Sequence, residues 1–127
     1  MMVSLLARPV ELSPQPALAR RELAGLLADT RWDGDVDGVV LAVHEAMVNA
    51  QRHGGGVTRA TAGMEGSRVV VRISDHGAGF DFPEAPAVAD ITAERGRGLL
   101  LIRQLSADAF VVRSGSEVRL VLKFDKS

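Results

Sequence analysis

The sequence contains no cysteine among its 127 residues. This absence excludes disulfides, zinc–thiolate sites and thiol nucleophiles together. Long hydrophobic runs are missing too: Gly98–Ile102, for example, has five residues, against the roughly 18 that a membrane helix needs. The segment Met1–Val10 has one basic residue and no long apolar stretch, so it does not read as a signal peptide. We therefore expect a protein of a reducing cytoplasm.

Neither sign of charge is in excess. Lys and Arg total 15 and Asp and Glu total 16, giving a formal net charge of -1. This balance argues against a nucleic-acid binder that works through a general basic field. The length and the 46% hydrophobic content predict one domain over residues 1–127, with one core.

Hydrophobic spacing predicts the order strand, helix, helix, strand, strand, loop, helix, strand, strand. Because helices do not alternate strictly with strands, we expect an α/β protein of the α+β two-layer sandwich type. Its sheet should be mixed and mostly antiparallel, with the helices on one face. The predicted strands are Val3–Val10, Val57–Met64, Arg68–Ser74, Ala109–Arg113 and Val118–Phe124, and the predicted helices are Leu18–Leu27, Val39–Arg52 and Leu99–Ala107.

The segment Asp33–Gly38 matches the first half of a calcium-binding loop. The twelfth position of such a loop is a bidentate glutamate, but here it is His44, and Glu45 comes one residue late. On a helix, one residue rotates a ligand by about 100°, out of the site. We interpret the segment as a solvated acidic turn that caps the second helix.

Three polar residues, Glu45, Asn49 and His53, stand four residues apart on the second helix. This spacing places them along one stripe of the helix. In a pocket, the Asn49 amide oxygen could hold a hydrated Mg²⁺, and Glu45 could accept a proton from an attacking hydroxyl or water. The same spacing is also typical of an ordinary solvent-facing stripe.

Glycine-rich segments lie on both sides of the irregular region between the third strand and the third helix. In Asp75–Asp81, a carboxylate leaving a strand could bind an exocyclic amine while glycines let the backbone approach a flat ring. In Gly96–Leu99, free backbone N–H groups at a helix start could cradle phosphates. A plain turn and a flexible hinge remain the alternatives. No G-x-x-x-x-G-K-[ST] sequence is present, which excludes a P-loop.

Taken together, the three segments resemble the motifs of one family, the GHKL ATPases, which include histidine kinases and DNA gyrase. Glu45–Gly54 is similar to the N box, Asp75–Asp81 to the first glycine box and Gly96–Leu99 to the second. The resemblance covers residues 12–124. The compact length, the His-Gly end of the N box and the Gly-Phe-Asp extension are most similar to bacterial anti-sigma factor serine/threonine kinases.

The resemblance implies a Bergerat fold that holds ATP and Mg²⁺ between its helices and a lid at about 82–97. Asn49 would coordinate Mg²⁺, Asp75 would bind the adenine amino group, and Glu45 would be the base that activates the acceptor hydroxyl. The family often has threonine in the late turn beside adenine, where this chain has a serine. The other implied nucleotide-binding residues are His53, Gly77, Gly79, Gly96, Arg97, Gly98, Leu99 and Ser116.

The implied function is an ATP-dependent serine/threonine kinase that inhibits a sigma factor and phosphorylates an anti-anti-sigma protein of the STAS type. The resemblance also implies a homodimer, which would most naturally be joined through the first strand or first helix. From the charge balance and the short apolar runs we expect no direct nucleic-acid or membrane partner. One alternative is a nucleotide-binding interaction module without kinase activity, which would not need a base at Glu45. Another is a detached histidine kinase ATPase domain, disfavoured because no phosphoacceptor helix precedes this one in the sequence.

Overall fold

The computed structural model describes residues 8–53, 55–76 and 94–127. Helices and strands follow one another along these residues in the predicted order, and most bounds agree with the prediction to within three residues. The elements are β1 (Val10–Leu12), α1 (Pro16–Thr30), α2 (Val36–His53), β2 (Val57–Glu65), β3 (Arg68–Asp75), α3 (Glu94–Leu105), β4 (Asp108–Ser114) and β5 (Glu117–Phe124).

The five strands form one sheet in the order β1-β2-β3-β5-β4, and each neighbouring pair is antiparallel. Two-residue turns join β2 to β3 and β4 to β5. Each turn begins with a glycine in the left-handed region, Gly66 at φ 62° and Gly115 at φ 60°, as tight hairpin turns require. The predicted sheet is confirmed in its antiparallel character, and no parallel pair occurs in the part of the chain described.

The helices pack on one face of this sheet, as predicted. Alternation along β3 directs Val69, Val71 and Ile73 towards the helices, where each is at most 2% exposed. Leu23 of α1 and Met47 of α2 are fully buried in the same hydrophobic core. Burying a side chain of this size stabilises the fold by about 1.5–3 kcal/mol, so the core fixes the position of α2 over the sheet.

The acidic turn before α2 is a helix cap. The Gly38 N–H donates to Asp35 Oδ1 at 3.0 Å, and the Val39 N–H donates to the Asp35 carbonyl at 3.0 Å. Asp35 thus satisfies donors that the first turn of a helix leaves without partners. Within the described ranges, no group of three or more histidine, aspartate or glutamate residues is arranged to hold a metal ion. The interpretation of Asp33–Gly38 as a cap is confirmed.

Two predicted bounds are wrong. The first strand was expected at Val3–Val10; β1 instead covers Val10–Leu12, and residues 1–7 lie outside the described residues. The third helix was expected from Leu99 but begins at Glu94. Two glycines in its first two turns have low helix propensity and suggested a loop, whereas packing of α3 against α2 outweighs propensity here. The helix ends at Leu105, and by Ala107 the chain has joined the sheet, donating to the Lys123 carbonyl at 2.8 Å.

Candidate nucleotide-binding site

Two residues of the polar stripe of α2, Glu45 and Asn49, face a neighbouring helix. Asn49 is only 5% exposed, and Glu45, one turn before it, is half-buried. The Asn49 Nδ2 is buried and makes no hydrogen bond to any described residue. A buried amide without a partner is costly and rare in native proteins. Its position therefore points to a ligand that supplies the missing partner.

The backbone of α3 crosses directly over this amide at Gly98. A Cβ atom at Gly98 would lie 3.1 Å from Asn49 Nδ2 and 3.5 Å from Glu45 Oε2, so glycine is what allows the two helices to approach. Because α3 begins at Glu94, the Gly98 N–H lies beyond the four N–H groups that a helix leaves unpaired. Gly96 and Arg97 belong to that first turn.

A groove of about 440 Å³ lies between α2 and α3. This volume is within the range typical of small-molecule sites. One wall carries the Glu45 and Asn49 side chains, and the Nδ1 of His44, also on α2, is buried without a partner among the described residues. The residues that line the groove are His44, Glu45, Val48, Asn49, Arg52, Gly98 and Leu101.

Asp75, the predicted adenine contact, is the last residue of β3. It is 7% exposed and points to the helix side of the sheet, two residues beyond Ile73. Its neighbours across the sheet are Val57 and Val118. Placing a carboxylate at such a buried position is costly unless polar groups surround it. Asp75 is therefore an unusual residue for this end of the sheet.

The remaining predicted residues fall into three groups. Leu99 is buried in α3, next to Gly98. Ser116 is exposed in the β4–β5 turn, at the same end of the sheet as Asp75. His53 ends α2, but its side chain and that of Arg97 lie outside the described residues, as do Gly77, Gly79 and residues 82–93 of the predicted lid.

Sequence reasoning missed several residues of the groove, namely His44, Val48, Arg52 and Leu101. The first three follow one another at four-residue intervals, one position before the stripe that was recognised. The same helical spacing could have found them, since adjacent stripes on one helix can line the same wall of a groove. Leu101 becomes visible only once α3 is placed against α2.

The two-layer fold, with an amide and a carboxylate facing a groove between helices, is the architecture expected of a GHKL ATPase domain. The family model of the histidine kinase-like ATPase domain matches residues 9–122. The chain therefore belongs to the histidine kinase-like ATPase family, as the sequence motifs predicted. Members of this family are ATP-dependent kinases or ATPases.

Among solved structures, the chain is similar to the Acinetobacter baumannii histidine kinase AdeS. The TM-score is 0.55 at 13% sequence identity, over 94% of this chain and 68% of that chain. At this identity the likeness shows the fold alone, the five-stranded antiparallel sheet and helices of the Bergerat type. No curated protein matches the sequence. None of the helices described is both long and apolar enough to cross a membrane.

Proposed function

We propose that the chain binds Mg²⁺ and ATP in the groove between α2 and α3 and transfers the γ-phosphoryl group to a serine or threonine of a partner protein. The observation that carries this proposal is the convergence of the Glu45 carboxylate and the unpartnered Asn49 amide on the backbone of Gly98. A module that only binds a nucleotide needs the amide and the closely approaching backbone of Gly98. It does not need a carboxylate at the same place.

The donor set of the groove fits a magnesium nucleotide. The Asn49 Oδ1 is a hard oxygen ligand of the kind that Mg²⁺ takes while it keeps several waters. The bound ion would neutralise charge on the phosphates. The first four N–H groups of α3, in residues 94–97, have no partner within the helix and would favour phosphate oxygens. Asp75, buried at the end of β3, would accept a hydrogen bond from the adenine amino group.

Glu45 is assigned the role of general base. Its half-buried carboxylate lies on the groove wall one helical turn from Asn49, where it can accept the proton of an acceptor hydroxyl as the oxygen attacks phosphorus. Most of the rate acceleration in phosphoryl transfer comes from positioning and charge stabilisation. Because the acceptor hydroxyl loses its proton only during the transfer step, the carboxylate contributes to chemistry more than to nucleotide affinity.

The partners we propose are an anti-anti-sigma protein of the STAS type, as phosphoacceptor, and a sigma factor, bound by a homodimer in the cytoplasm. The N box, glycine-box and Gly-Phe-Asp motifs support this assignment through their resemblance to anti-sigma factor kinases. Phosphorylation of the antagonist would prevent it from displacing the sigma factor. ATP chemistry at Glu45 would then control the exchange of partners.

Calorimetric titration with ATP, with and without Mg²⁺, tests the nucleotide site. We expect binding that requires Mg²⁺ in the wild-type chain and a loss of at least about tenfold in affinity for Asp75→Asn. Asp108→Asn is the matched control, because Asp108 is exposed at the start of β4. Absence of ATP binding by a folded wild-type chain would contradict the proposal. Phosphotransfer from labelled ATP to STAS proteins then tests the reaction.

A further inference from the structure

The sheet face that points away from the helices carries a cross-strand row of basic residues. In the register of the sheet, Arg59 of β2 is opposite Ser74 of β3, and Ser74 is opposite Arg119 of β5. Two residues before Ser74, and on the same face of β3, Arg72 is opposite Thr61 of β2. Arginine and hydroxyl residues therefore alternate on β2 and β3, and β5 adds Arg119, so that three guanidinium groups lie beside two hydroxyls.

These side chains enclose a cavity of about 270 Å³. Two hydroxyl residues lie deep in it, because Ser74 is 3% exposed and Thr61 is 9% exposed. Ser74 Oγ accepts a 3.4 Å hydrogen bond from Arg119 Nε. The guanidinium groups of the three arginines form the polar walls of the cavity. The lining residues are Pro9, Arg59, Thr61, Arg72, Ser74 and Arg119.

Each arginine is held by a carboxylate at the rim of the cavity. Arg59 donates to Glu11 at 2.7 Å, and its pKa is raised chiefly by this hydrogen bond. Arg72 Nη2 lies 3.3 Å from a carboxylate oxygen of Glu65, and Arg119 Nη2 lies 3.2 Å from one of Glu117. A guanidinium has five N–H donors, so these pairs leave donors for a ligand while they restrict the side chains.

The lining of the cavity includes three arginines and no carboxylate. The Lys123 ammonium group bonds Glu65, the partner of Arg72, at 2.9 Å, so this carboxylate is shared between two cations. Guanidinium groups recognise phosphate through paired, charge-assisted hydrogen bonds. The three guanidinium groups and two hydroxyls offer more hydrogen-bond donors than a single carboxylate ligand can accept, which favours phosphate as the ligand.

We propose that this cavity binds a phosphate group, either free phosphate or the phosphate of a phosphorylated serine. The site is distinct from the nucleotide groove because the two lie on opposite faces of the sheet. Ser74 points to the open face, whereas its neighbour Asp75 points to the helix side. The inference does not depend on the proposed kinase activity.

Titration with inorganic phosphate, followed by NMR of the arginine Nε–Hε groups, tests the site in the whole chain. We expect the resonances of Arg72 and Arg119 to shift with one saturable affinity. Arg119→Gln should weaken phosphate binding by about tenfold or more, since hydrogen bonds to charged groups carry that much affinity. Arg68→Gln is the control: Arg68 lies on the same face of β3, pairs with Asp125 and does not line the cavity.

A circular dichroism melt shows whether Arg119→Gln is folded, and Arg72→Gln replaces it if it is not. Equal effects of Arg119→Gln and Arg68→Gln would overturn the proposal. Phosphate-induced shifts confined to the α2–α3 groove would overturn it as well. A phosphoserine peptide that binds at least tenfold more tightly than phosphate would support the site and identify a protein source, and equal affinities would support free phosphate.

Discussion

The side-chain amide of Asn49 lies against the backbone of Gly98, where a Cβ atom would come 3.1 Å from Asn49 Nδ2. That distance is short for such a contact, so Gly98→Ala must displace the buried amide or push α3 outward. We predict that Gly98→Ala lowers ATP affinity by about tenfold or more, as measured by calorimetry. The free energy of unfolding should change by less than about 1 kcal/mol, because alanine is the better helix former and offsets the strain.

The control for this substitution is Gly25→Ala in α1. Gly25 is also a glycine inside a helix, but it is exposed and a Cβ there would meet nothing within 4 Å. It should raise the free energy of unfolding by up to about 1 kcal/mol and leave ATP affinity unchanged. If Gly98→Ala behaves in the same way as Gly25→Ala, the close approach of α3 to Asn49 is not part of the nucleotide site.

Glu45→Ala separates binding from chemistry. Loss of a general base should reduce phosphotransfer by about 10²–10⁴-fold, while the dissociation constant for ATP stays within about threefold of the wild-type value. The measurement is single-turnover transfer from labelled ATP to the acceptor protein. Asp29→Ala, which removes an exposed carboxylate at the end of α1, should have the wild-type rate. Normal transfer by Glu45→Ala would rule out the assignment of the base.

The sequence predicted α2 and its polar stripe well because helical spacing and the following glycines are local signals. It left open whether the stripe lines a pocket or faces solvent, since that depends on α3 covering Asn49. The same lack of long-range information explains the late start predicted for α3. Gly98 was interpreted as part of a loop, whereas it is a helical residue whose missing side chain admits a neighbouring helix.

The row of basic residues on the sheet face that points away from the helices was also not predicted, for a related reason. The alternation within β3 was visible in the sequence, but the alignment of Arg59, Ser74 and Arg119 requires β5 to pair with β3. Strand order and register between distant segments are set by the packing of the whole sheet. Sequence spacing therefore found the residues of one helix more readily than those contributed by three strands.

Acid titration should identify the ion pairs on the open face. The hydrogen bond from Lys123 lowers the pKa of Glu65 below its ordinary value of 4.5, and Arg72 adds to the effect. Because the folded pKa is the lower one, the pair stabilises the fold above the unfolded pKa. This stabilisation is lost as the pH falls through the folded pKa. Lys123→Met should raise the pKa of Glu65, measured by carboxyl-carbon NMR.

The matched control for that titration is Lys126→Met, which removes the other lysine of the chain from an exposed position near its end. It should leave the pKa of Glu65 unchanged. Added salt should shrink the difference between the wild type and Lys123→Met, since the pair is exposed and screened. A Glu65 pKa that does not respond to Lys123→Met would contradict the assigned pair.

Asp35→Ala tests whether the acidic turn before α2 serves the helix or a metal. Loss of the bond from the Gly38 N–H to Asp35 Oδ1 should lower the free energy of unfolding by about 0.5–2 kcal/mol, as measured by urea denaturation. Asp33→Ala removes a neighbouring exposed carboxylate and should change it by less than about 0.5 kcal/mol. Because the turn lacks the bidentate glutamate of a calcium loop, millimolar Ca²⁺ should not raise the melting temperature of the wild type. A rise that Asp35→Ala abolishes would mean that Asp35 binds a cation.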